Sequence, residues 1–264
     1  MYFSAYSPVG SRAYAAGSLD NLVGRVYAND VTASRETIEM PRPYRGSKSG
    51  GSEYDGKNGS KSGDANDEPH SQVAREYHFV ADDFLTGIAT KAINKREELM
   101  PLVEEAFEKR TSVAFPHDIA ITLCTPVELE QAFGAGFTPD VQGFCINRHG
   151  RGVSEVFVKR GELAHVMLTL GHEIGHALTP TLRDSRDEEA KAFAFSLAWM
   201  ETIREHNIGG LKVAIQPNPA KNGLHNVAFN FVMDTARRIP FIEQFAQLGK
   251  GMLTINQKPE QITI

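Results

Sequence analysis

A chain of 264 residues with a formal net charge of −5 and a pI near 6.0 lacks the basic surplus of a nucleic-acid binder, so nucleic acid is not expected as its main partner. Its 41% apolar share suffices for a sizeable core, yet no apolar run is long enough to span a bilayer, and Met1 to Gly17 has no apolar centre of the kind a secretion signal carries. Two cysteines, Cys124 and Cys145, make no disulfide framework; a cytoplasmic, reducing location is expected, with both thiols on buried strands.

Residues 1–45 carry scattered tyrosines and apolar residues without a sustained period, and they form an N-terminal segment of no assignable fold. Residues 46–72 (GSKSGGSEYDGKNGSKSGDANDEPHSQ) hold almost no apolar side chain and cannot offset their ordering entropy, so they read as a flexible linker or loop. A globular domain is expected over residues 73–250, followed by a tail over 251–264. Within it the pattern predicts helices over 76–94 and 96–110, the second either carrying Pro101 near its start or broken by it, then a strand over Ile119–Cys124 and a helix over 127–133 opened by Thr125-Pro126. Strands over 141–147 and 153–159 are joined by Arg148-His149-Gly150-Arg151-Gly152, which suits a hairpin turn. Helices follow over 162–178, stopped by Pro180, over 186–206, ended by Asn207 to Gly210, and near 223–238 and 240–248. The order predicts an α+β fold, with a small mixed sheet packed on the helix over 162–178.

That helix carries His172-Glu173-Ile174-Gly175-His176, a His-Glu-x-x-His pattern. Residues four apart share a helix face, so two imidazoles can bind one Zn²⁺ from the same side while the glutamate reaches the metal's water as general base. At 100° per residue, Leu163, Val166, Met167, Leu170, Ile174, Ala177 and Leu178 form one aliphatic stripe. His165, Thr169, His172 and His176 fall on the opposite stripe, with Glu173 at the boundary. One face is for the core and the other for chemistry, which a chance five-residue match need not produce. His165, two turns before His172, is expected to stand behind the ligands or to line the cleft, without binding metal. Gly171 and Gly175 each cost ~1 kcal/mol relative to alanine inside a helix, which implies close approach of another backbone or of substrate.

Catalytic zinc takes three protein ligands and leaves a position open. The residues HALTPTLRD, from His176 onward, rule out a third histidine in the His-x-x-Gly-x-x-His arrangement, so a carboxylate from the acidic start of the next helix remains, within Asp187-Glu188-Glu189. Here the chain resembles the gluzincins, HExxH metallopeptidases with a glutamate third ligand, and by that resemblance a zincin-like fold and a peptidase activity are expected. Their second helix carries the glutamate, a small residue at +3, often an aromatic at +6, and a small residue at +7. From Glu189 the set is Ala192, Phe195 and Ser196; from Asp187 it is Ala190, Phe193 and Ala194. The second register is also how the segment aligns with the ImmA/IrrE-like peptidases, with Asp187 and Lys191 as departures. Glu188 fits neither register, because it puts Lys191 at +3. Glu189 is the favoured ligand and Asp187 the alternative; the acidic run also reads as a solvated helix start.

The resemblance implies a Zn²⁺-dependent peptidase acting on a peptide or protein, with His172, His176 and Glu189 on the metal and Glu173 as general base. It also implies an oxyanion-stabilising side chain, for which His225, Tyr77, Arg237 and Arg238 are candidates, and an edge strand for substrate, taken as 153–159. The rival is a non-catalytic metal-stabilised regulatory or binding module on the same scaffold. Deformylases share the pentapeptide but take a cysteine ligand from a Glu-Gly-Cys-Leu-Ser-like segment, which Gln142-Gly143-Phe144-Cys145-Ile146 matches poorly. A thiolate of Cys145 blocking the metal is a further alternative, weaker than a buried strand cysteine.

Overall fold

The computed structural model describes residues 79–216 and 226–257. The N-terminal segment, the whole 46–72 linker reading, Tyr77, His225 and the end of the tail therefore lie outside the described residues. The fold is α+β. Two short strands, β1 (Ala92–Ile93) and β5 (Gly161–Glu162), pair antiparallel. A three-stranded sheet runs in the order β2 (Ile119–Cys124), β4 (Ser154–Lys159), β3 (Gly143–Ile146). β2 and β4 are parallel, with Ile121 opposite Val156, and β3 and β4 form the expected hairpin, with Cys145 also opposite Val156. In the loop between them His149 and Gly150 both take positive φ.

The helices are α1 (Arg96–Thr111), α2 (Pro126–Phe133), α3 (Leu163–Ala177), α4 (Ser185–His206), α5 (Val227–Thr235) and α6 (Phe241–Gly249). α2 begins with a capping box, in which the Thr125 hydroxyl accepts from Glu128 N–H and the Glu128 carboxylate accepts from Thr125 N–H. α3 lies between the sheet and α4 and is buried on nearly every face. α4 packs in turn on α1, α5 and α6, which explains its uninterrupted buried run from Ala190 to Met200. No helix among the described residues is long and apolar enough to cross a membrane.

Two expectations are corrected. The helix predicted over 76–94 is, from Phe79 on, a single 3-10 turn (Ala81–Phe84) followed by extended chain and β1. Gly87 takes φ +79°, Leu85 bridges Ile215, and Ile93 pairs with Gly161, so tertiary pairing of a Thr- and Gly-containing stretch overrides its apolar spacing. The strand over 153–159 is central; the edge strands are β2 and β3, and β3 is the one that borders the cleft.

Gly171 and Gly175 face α4. A Cβ on Gly171 would meet Cδ1 of Trp199 at 2.4 Å, and one on Gly175 would meet the Ala192 backbone at 3.0 Å. Trp199 is fully buried and its indole N–H donates to Met167 O at 2.9 Å, so it cannot yield. Gly171→Ala is therefore expected to destabilise the fold by about 2 kcal/mol despite alanine's better helix propensity, a Tm loss on the order of 4–8 °C in thermal denaturation. A variant as stable as the parent would mean that Trp199 does not pack on this helix.

Candidate metal centre

Three donor atoms converge where α3 meets the start of α4. His172 Nε2 and His176 Nε2 are 3.3 Å apart; Glu189 Oε2 lies 3.4 Å from the first, and Glu189 Oε1 lies 3.8 Å from the second. Two donors ~2.05 Å from one ion at a tetrahedral angle are ~3.3 Å apart. The His172–His176 and His172–Glu189 separations match that spacing, the His176–Glu189 separation is wider, and two imidazoles with a carboxylate are a donor set suited to zinc. Among the described residues this trio gathers its ligand atoms within 4.8 Å of one another. Gly175 makes this possible, since its missing side chain admits Ala192, three residues after Glu189, and so brings the carboxylate to the histidines.

The other acids of the run have different partners. Asp187, the alternative ligand, accepts the Ile255 N–H at 2.7 Å, and Asp184 is the N-cap of α4, accepting from Arg186 N–H. Glu188 is buried, and its Oε1 accepts the Nδ1–H of His176 at 2.7 Å. Its Oε2 accepts from Leu182 N–H at 2.8 Å and from the fully buried Lys191 Nζ at 2.9 Å. Burial works to raise the Glu188 pKa, but the His176 hydrogen bond, the Lys191 charge and the Leu182 amide together hold it below the usual carboxylate value. Burial pushes His176 down, so its imidazole is neutral, with Nδ1–H on Glu188 and the Nε2 lone pair turned to the trio.

His172 is 3% exposed, stacked on Phe79 (centroids 4.6 Å apart) and met edge-on by Phe193 (5.0 Å). Asn147 Nδ2–H donates to His176 O at 2.6 Å and to Thr179 O at 2.7 Å, tying the β3 end to the C-terminus of α3. Glu188, Phe79 and Asn147 were not legible from the sequence as parts of the site; Phe193 was read there only as the aromatic of the Asp187 register, whereas it meets His172 edge-on.

The trio opens on a cleft of about 340 Å³, lined also by Glu173, Thr169, Gly143, Phe144 and Cys145. Gly143 lets β3 lie against α3, for a Cβ there would meet Thr169 Cγ2 at 2.7 Å and Glu173 Cγ at 3.5 Å. Glu173 is 8% exposed; burial, reinforced by the Glu189 charge, pushes its pKa up to about 8. Cys145 lines the cleft but stands outside the trio, and burial followed by the Glu173 charge pushes its thiol well up, so it is not a thiolate. His165 departs from expectation: it pairs with Asp82 at 2.7 Å and does not line the cleft. Neither Arg237, paired with Asp234, nor Arg238 lines it. No protein-family model, curated protein or solved structure matches this chain.

Proposed function

We propose that this protein is a zinc-dependent peptidase of gluzincin type on a zincin-like scaffold, working in the cytoplasm. The observation that carries the reading is the convergence of His172, His176 and Glu189 at tetrahedral ligand spacing, with Glu173 on the wall of the same cleft. A divalent ion held by these three residues supplies a Lewis acid for the peptide carbonyl and makes a water more acidic at neutral pH. Glu173 takes the proton of the attacking water and returns it to the leaving amine. Burial raises the Glu173 pKa, so once ionised beside a divalent cation its carboxylate is a stronger base than an exposed glutamate. Glu188 keeps the Nδ1 proton on His176 and so keeps Nε2 a donor.

The edge of β3 borders the cleft, and an extended peptide can add to it as a further strand beside Glu173. Zinc-loaded protein incubated with a diverse peptide mixture is expected to give cleavage products by mass spectrometry, abolished by a chelator and restored by zinc. Protein that binds zinc tightly yet cleaves nothing would overturn the peptidase and favour a metal-stabilised binding module.

A further inference from the structure

We propose that Lys191 is a positioning residue of the metal centre, acting through Glu188 to orient His176. The inference rests on the metal-centre reading above and extends it to a residue with no contact to the metal's own ligand atoms. Lys191 is completely buried in the second turn of α4. Removing an ammonium from water costs several kcal/mol, and this one recovers it from one carboxylate, Glu188 Oε2 at 2.9 Å, with Pro180 O at 3.5 Å beside it. That carboxylate divides its oxygens: Oε2 faces Lys191 and the Leu182 amide, which leaves Oε1 directed at His176 Nδ1.

Without Lys191, the Glu188 side chain would be held by one amide and one imidazole only and would be free to turn from His176. His176 would then lose the acceptor that fixes its Nδ1–H form.

Zinc affinity measured by competition with a chromophoric chelator tests this without reference to turnover. Lys191→Met is expected to weaken zinc binding about 10–100-fold, the range typical for loss of an outer partner of a ligand. Glu188→Gln is expected to weaken it similarly. The Glu188→Gln/Lys191→Met double variant is expected to bind no more weakly than Glu188→Gln alone, because Lys191 acts only through Glu188. A folded Lys191→Met protein with parental zinc affinity, or a double variant whose loss is the product of the single losses, would overturn the proposal. A purely structural lysine would lower Tm and leave the affinity of the folded protein unchanged.

If Lys191→Met does not fold, wild-type protein labelled at lysine ¹⁵Nζ carries the test. A protected Lys191 ammonium resonance that shifts on zinc loading supports the linkage, and one insensitive to zinc overturns it. Failure of the underlying reading has its own signature, since wild-type protein that takes up no zinc overturns both.

Discussion

Glu173→Gln is expected to leave zinc bound and to lower peptide hydrolysis by about 10²–10⁴-fold in kcat, the usual contribution of a positioned general acid–base group. Gln keeps the shape of the side chain in its buried place between Gly143 and the trio but can neither accept nor return a proton. Because Glu173 is not one of the three converging ligands, zinc affinity should change little, which separates this variant from any ligand variant. A variant with parental turnover would remove Glu173 from the chemistry and with it the peptidase mechanism.

The same substitution has an opposite effect on the metal-free fold. Glu173 holds its proton to about pH 8 when folded, against 4.5 for an exposed glutamate. A raised pKa gives stability that is fully present below pH 4.5 and lost as the pH rises through 8, since the unfolded chain ionises first. Glu173→Gln has no such loss. In chelator-treated protein the variant should therefore gain on the parent as pH rises from 4.5 to 8, by at most about 5 kcal/mol. Parallel Tm profiles for the two proteins across that window would show that Glu173 ionises normally in the fold.

The sequence carried the site unevenly. The faces of α3 were legible because a helix buried on the sheet must put its aliphatic residues on one stripe, and Leu163, Val166, Met167, Leu170 and Ile174 do so. The hairpin around His149-Gly150 and the cap at Thr125 were legible as local chemistry. The stretch after Phe79 was not, because its partners, Ile215 and Gly161, lie more than sixty residues away. Glu188 was illegible as a positioning group for a related reason. Lys191 at +3 disqualified it as a ligand, and that same lysine holds it toward His176 in the fold.

Glu189→Gln is expected to weaken zinc binding more than about 100-fold, beyond what loss of an outer partner costs, whereas Asp187→Ala should leave zinc affinity unchanged. The two carboxylates are two residues apart, about 200° around the helix, so only one of them can face α3. Both registers carry small residues at +3 and +7 because α4 is packed by α3 on one side and by α1, α5 and α6 on the others, and small residues on several of its faces mask the one that meets the metal helix. The deciding contact is Gly175 against Ala192, which belongs to the Glu189 register. Asp187 faces instead the C-terminal segment, where it accepts the Ile255 amide. Its removal should cost on the order of 1–3 kcal/mol through that charged hydrogen bond, read as a lower Tm at parental zinc affinity. If Asp187→Ala were the variant that lost zinc and Glu189→Gln the one that kept it, the helix register, and the trio built on it, would be wrong.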